Sequence, residues 1–187
     1  MNAMRVTRGI GKWGLHPIFQ DRYQSWVELE QAIALIEDTT EKGDAFEQFS
    51  YFYFLYHKDL YKIEEVWCDK VRGREIPNEI RSRYKLKKKD IGVDGASRLL
   101  SGELEAWQAK FHSDRSSATL TELSTFWAEA ERASSRRIIA NCARLPPDAE
   151  KRLNHTQTLV GLYWLLGTSV PKIDNLVYHH PPIFFVM

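Results

Sequence analysis

The sequence predicts an α/β fold, and three features carry that reading. Apolar residues recur at helical spacing over 26–36 and fill most positions of 43–57. A β-branched and aromatic run at 63–68 is followed by two short runs, 93–100 and 104–111, joined by Ser101, Gly102 and Glu103. A further amphipathic stretch at 121–132 precedes the strand-like run RRIIANCA at 136–143. The implied order is helix, strand, hairpin, helix, strand.

Residues 1–25 combine Gly9, Gly11, Gly14 and Pro17 with scattered charges and no clear period, which predicts an irregular arm or an ordered lead-in rather than a core element. Trp26, Leu29, Ile33 and Ile36 then mark an amphipathic helix. GDAFEQFSYFYFLYH at 43–57 is apolar on almost every side, with Gly43 and Asp44 as a capped start and Glu47 and Gln48 in a polar first turn. It reads as a helix packed into the core. IEEVWC at 63–68 reads as a strand, and the polar stretch 69–90, with Arg72, Arg74, Arg81, Arg83, Lys85, Lys87, Lys88 and Lys89, as a basic loop.

VDGASRLL at 93–100 and LEAWQAKF at 104–111 are expected to pair as an antiparallel hairpin with Gly102 in the turn. In TELSTFWAEAER at 121–132, Thr121 is the expected cap and Leu123, Phe126, Trp127 and Ala130 the apolar face. A short helix is expected at 148–155 beyond Pro146 and Pro147, then a tail through Pro171, Pro181 and Pro182. These boundaries divide the chain into an N-terminal arm and helix at 1–42, a core at 43–155 and a C-terminal extension at 156–187.

The 187 residues, 43% hydrophobic and 27% charged, suit one soluble globular domain of ordinary size. The net charge of +1 gives no global field toward nucleic acid, so any such attraction must come from local clusters of Lys and Arg. Cys68 and Cys142 have neither zinc-site spacing nor the density of a disulfide scaffold, which predicts reduced, buried thiols. No apolar run reaches the roughly 20 residues of a membrane span and no secretory leader is legible, so a cytoplasmic location without membrane partners is expected.

Side chains alternate between the faces of a strand, so Leu104, Ala106, Gln108 and Lys110 share one face of 104–111 while Trp107 and Phe111 share the other. A face that begins apolar thus ends in an amide and an ammonium, and burying these without partners costs several kcal/mol. They belong at the rim of the core, near an acid or a bound ion. Asp94 supplies the acid, because a hairpin sets the end of one strand beside the start of the other. Phosphodiester hydrolysis explains the gathering. A hard divalent cation takes oxygen ligands, here the Asp94 carboxylate, the Gln108 amide oxygen and the Ala109 carbonyl, while Lys110 orients the attacking water and offsets charge on the phosphorane.

The segment DIGVDGASRLLSGELEAWQAKF at 90–111 resembles the core of the PD-(D/E)xK nuclease superfamily, in which an Asp opens one strand and an E-x-K or Q-x-K triplet lies on the next. Its Q-A-K triplet and G-V-D context are similar to Mrr-like restriction endonucleases and to nuclease domains fused to large restriction helicases. The resemblance implies a restriction-endonuclease-like αβββαβ core with a mixed central sheet flanked by helices. It also implies a metal-dependent DNA endonuclease of restriction or phage defence, using Mg2+ with Mn2+ as a substitute. GDAFEQF at 43–49 resembles the family's opening helix, whose Glu often faces the metal, and this adds Glu47 to the implied ligands. Gln108 departs from the commoner acid and lowers the ligand charge.

Blander readings stand beside these. Asp94 also fits a turn residue and Lys110 a solvated strand end, while a first-turn Glu47 is favoured by the helix dipole whatever its function. The cations Arg81, Arg83, Lys85, Lys87, Lys88 and Lys89 lead into Asp94 and are expected to meet DNA phosphates; a solvated face is the alternative. Asp90 reads better as a partner of the lysines than as a second site carboxylate. His155, His179 and His180 lack zinc spacing. The competing function is a catalytically silent nuclease-fold module that binds DNA or protein, and a nuclease for RNA or for branched or single-stranded DNA ranks third. A helicase or translocase domain and a second copy of the chain are the protein partners under consideration.

Overall fold

The computed structural model describes residues 14–21, 23, 26–87, 92–141 and 159–160. After a 3-10 turn at Pro17–Gln20, its elements are α1 (Trp26–Ala34), α2 (Thr39–Tyr56), α3 (Lys58–Tyr61), β1 (Ile63–Cys68), α4 (Asn78–Tyr84), β2 (Gly95–Leu99), β3 (Leu104–Lys110), α5 (Leu120–Glu129), β4 (Ser135–Ala140) and β5 (Leu159–Val160). From α2 to β4 the order is αβββαβ, with α3 and α4 as short additions. The expected helix at 148–155, Cys142, His155, His179 and His180 lie outside the described residues.

The five strands lie in sequence order in one sheet. β1 pairs antiparallel with β2 and β2 with β3, whereas β3, β4 and β5 are parallel, so the sheet is mixed. Antiparallel neighbours close through short turns, but the parallel β3–β4 pair needs a crossover, which α5 supplies. Alternation splits the core between the two faces. Trp107 and Ile139 pack with Phe46, Phe49 and Phe54 of α2, while Ala106, Ile138 and Ala140 pack with Leu123 and Phe126 of α5. Cys68 is a buried free thiol, as expected.

Three local expectations change. α2 begins at Thr39 rather than at Gly43, because Asp38 caps it by accepting from the amides of Thr40 at 2.8 Å and Glu41 at 2.9 Å. Glu47 therefore sits in the third turn, beyond the dipole effect that a first-turn position would have explained. α5 is capped by Thr119 rather than Thr121, through a reciprocal box in which Glu122 accepts from the Thr119 amide at 2.6 Å and donates its own amide to the Thr119 hydroxyl at 3.2 Å. The stretch read as a basic loop contains α4, whose Ile80 and Tyr84 pack against Trp67, Ile76, Leu86, Ala96 and Leu104.

Two glycines set the approach to Asp94. Gly92 has φ +81°, and a Cβ there would lie 2.8 Å from the Phe126 amide nitrogen, so the loop can run against the backbone of α5 only without a side chain. At Gly95 a Cβ would lie 2.0 Å from Cζ2 of the fully buried Trp107 and 2.5 Å from the Trp67 carbonyl oxygen. The indole lies across β2 where a side chain would otherwise stand. Gly95→Ala is expected to destabilise the protein by roughly 1–3 kcal/mol or more, since the Trp67 backbone cannot withdraw as a flexible side chain would. Urea unfolding measures it, and an unchanged midpoint would show that Trp107 relaxes without cost.

Candidate active site

The hairpin register fixes which residues meet. Gly95 pairs with Trp107, which sets Asp94 opposite Gln108. The ladder continues past the formal start of β2: the Asp94 amide donates to the Trp107 carbonyl at 3.1 Å, and the Asp94 Oδ2 accepts from the Ala109 amide at 2.7 Å. A side-chain oxygen thus takes the place of the missing strand carbonyl. In an extended strand a residue's N–H and C=O point toward the same neighbour, so the Ala109 carbonyl faces the Asp94 side as well. Asp94 is 7% exposed and Gln108 2%.

Two buried glutamines behave differently. Gln48 in α2 uses both ends of its amide, accepting from the His16 amide at 2.7 Å and donating to the carbonyls of Gly14 at 2.8 Å and Lys70 at 2.7 Å. The Gln108 Oε1 is buried and, among the described residues, meets no hydrogen-bond donor. Such an acceptor ordinarily carries a penalty of about 1–3 kcal/mol, and this one lies opposite Asp94.

Glu47 lies on α2, whose backbone passes the end of β1. Its carbonyl accepts from the Cys68 thiol at 3.9 Å, and its side-chain Oε2 is buried. Burial first, then the Glu47 charge, with a smaller contribution from Asp94, pushes the Cys68 thiol well above its usual range. Lys110 ends β3 on the Gln108 face and inclines toward α5. Burial would raise the Glu122 carboxyl, but the Thr119 hydrogen bonds, with His112 and Lys110 nearby, outweigh it and hold Glu122 below the ordinary glutamate range. The register and the Asp94–Ala109 hydrogen bond thus bring Asp94, Gln108 and Ala109 together at the start of β2, with Lys110 two residues beyond Gln108 on β3. Among the described residues no group of three or more His, Cys, Asp or Glu side chains could hold a metal ion.

The basic residues divide. Arg81 is paired with Asp69 and also donates to the Lys87 carbonyl at 2.5 Å, which makes it an internal brace. Lys87 is exposed but bridged to Glu129 at 2.5 Å. Arg83 and Lys85 are exposed at the end of α4, while Lys88, Lys89 and Asp90 lie outside the described residues. Sequence reading missed His112, whose Nε2 lies 3.3 Å from Glu122 and whose Nδ1 lies 2.8 Å from the Ser116 hydroxyl. The T-x-x-E spacing of Thr119 and Glu122 was the signal that could have located this corner.

No helix among the described residues is long and apolar enough to cross a membrane. No curated protein and no solved structure matches the chain significantly. A family model described as restriction endonuclease, of the Mrr catalytic type, matches residues 62–179, well over half of the chain and including all of β1 to β5. By that match, and by the α/β architecture that carries it, the chain belongs to the restriction endonuclease family within the PD-(D/E)xK nuclease superfamily.

Proposed function

We propose that the protein is a divalent-metal-dependent endonuclease that hydrolyses phosphodiester bonds of DNA in restriction or phage defence, with Mg2+ as the working cation and Mn2+ as a substitute. The observation that carries this reading is the buried Gln108 Oε1, a neutral oxygen without a donor among the described residues, opposite the Asp94 carboxylate. An oxygen pair of this kind fits a hard cation, which would satisfy the Gln108 Oε1 where a protein donor is missing among the described residues. Asp94, the Gln108 Oε1, the Ala109 carbonyl and Glu47 would hold it. When bound, the cation supplies Lewis acidity and activates water near neutral pH.

The chain's own groups do the rest. Asp94 is fixed by the Ala109 amide, so its carboxylate does not need to be reorganised when substrate arrives. Lys110 orients the attacking water and offsets negative charge on the phosphorane. Arg83 and Lys85, exposed on the segment that leads to Asp94, receive the DNA backbone together with Lys87, Lys88 and Lys89.

Asp94→Asn retains an oxygen for the Ala109 amide and removes the charge, so metal affinity and cleavage are expected to disappear while the unfolding midpoint stays close to that of the unmodified protein. Calorimetric titration of Mn2+ and plasmid cleavage in Mg2+, Mn2+ or EDTA measure this; a variant that still cuts would remove Asp94 from the site. Lys110→Ala is expected to retain metal binding and to slow cleavage by about 10²-fold or more, since its charge acts in the transition state. Gln108→Glu should tighten Mn2+ binding if residue 108 is a ligand. If Gln108 only packs, the same change buries an unpaired charge and lowers stability instead.

Reversing Arg83 and Lys85 to Glu should weaken DNA binding and flatten its salt dependence by about one unit of log K per log salt for each phosphate no longer neutralised. Unchanged affinity and slope would identify a solvated face.

A further inference from the structure

Lys110 is the last residue of β3, and the chain leaves the sheet immediately beyond it. A lysine at such a point has a mobile root unless the backbone that follows is held. Here Asn141, the first residue after β4, holds it at three points. Its amide donates to the Lys110 carbonyl at 3.3 Å. Its side chain grips His112 from both sides, the Oδ1 accepting from the His112 amide at 2.7 Å and the Nδ2 donating to the His112 carbonyl at 2.8 Å. Three backbone groups bracketing Phe111 are therefore fixed by a residue that is only 2% exposed.

Asn141 is itself anchored far away in sequence. Its Nδ2 also donates to the Glu30 Oε1 at 3.0 Å, and Glu30, in α1, is buried. The Glu30 carboxylate takes Arg115 in a two-pronged grip, with the Arg115 Nε at 2.9 Å from Oε1 and the Nη2 at 2.5 Å from Oε2. Arg115 holds φ +56°, a backbone region that a residue with a side chain adopts at a cost, and its pairing with Glu30 compensates for that. A partly buried charge pair directed in this way at one loop is a means of fixing geometry more than of adding stability.

We propose that Asn141 is a positioning residue for Lys110, anchored through Glu30 to α1, so that a helix preceding the family-matched segment forms part of the catalytic apparatus. This role rests on the reading of Lys110 as the lysine of the hydrolytic site. A displacement of about 1 Å at such a group can cost on the order of 10²-fold in rate, which is the scale at which a second support matters.

A double-mutant cycle tests it, using single-turnover cleavage of plasmid in Mn2+ by the full chain. Asn141→Ala should slow cleavage roughly tenfold to a hundredfold with DNA and Mn2+ affinity unchanged. In a Lys110→Ala background the same change should cost nothing further, because the group it positions is gone. Equal losses in both backgrounds would overturn the proposal, since a merely structural residue acts regardless of Lys110. Glu30→Gln, which keeps an oxygen for the Asn141 Nδ2, should retain much of the rate that Glu30→Ala loses. If Asn141→Ala does not fold, the Glu30 variants complete the cycle from the other end.

Amide hydrogen exchange gives a readout independent of activity. Asn141→Ala should accelerate exchange at His112 while β1 and β2 remain protected, and unchanged exchange at His112 would overturn the inference on its own. An unmodified chain that never cuts DNA would instead remove the reading of Lys110 on which it rests.

Discussion

The site depends on a backbone amide that runs out of strand. β3 extends beyond the point where β2 can pair with it, and the Ala109 N–H at that point would be left without a partner inside the protein. The Asp94 carboxylate supplies the acceptor at 2.7 Å. Leaving such an amide unsatisfied costs about 1–3 kcal/mol, so the bond fixes the carboxylate as firmly as it completes the ladder. Much else follows from keeping that register. Gly95 must lack a side chain so that the Trp107 indole can lie over β2, and Gly92 must adopt φ +81° so that the preceding loop can pass α5. The position of Asp94 is thus a consequence of how the sheet ends.

The opposite end of β3 shows what a purely structural acid looks like. Glu105 is 2% exposed and saturated: the Arg137 Nε donates to its Oε1 at 2.7 Å, the Arg137 Nη2 to its Oε2 at 2.9 Å, and the Ser135 hydroxyl to Oε2 at 3.2 Å. Tyr61 covers the guanidinium at 4.4 Å. Every oxygen of Glu105 is accounted for within the fold, as buried ions require. Gln108, three residues later and equally buried, has an oxygen that the described protein does not use. The contrast along one strand sets a fully paired acid beside an amide oxygen open to the proposed ligand.

The αβββαβ order was legible because it rests on strong local signals: the helical period of Leu29 and Ile33, the all-round apolar character of α2, and the Gly102 turn between β2 and β3. The same signals located Asp94 opposite Gln108, since a short hairpin leaves little freedom of register. Element ends were less legible. Asp38 and Gly43-Asp44 both look like caps, and only the geometry shows that Asp38 receives the amides of Thr40 and Glu41. α4 escaped because Ile80 and Tyr84 are too few to establish a period among so many charges. Arg81 looked like a phosphate contact because nothing local reveals that Asp69, on the far side of a turn, claims it. The Glu30, Arg115 and Asn141 network was beyond reach for a similar reason, as its partners stand up to 111 residues apart.

The choice of glutamine at position 108 follows from the surroundings of the proposed site. Burial pushes the Cys68 thiol well above its usual range, and the negative charges of Glu47 and, to a smaller extent, Asp94 add to the effect. A third acid at a position only 2% exposed would have to ionise beside them in a low-dielectric environment, and like charges there oppose ionisation strongly. An amide gives the same oxygen without the charge. The exchange weakens the pull on a cation but lets the metal-free protein bury the residue without protonating it, and it leaves Lys110 as the charged group next along that face of β3. A site built this way relies less on the strength of its ligand field than on the precision with which its few groups are held, which is why the supports beneath Asp94 and Lys110 bear directly on its chemistry.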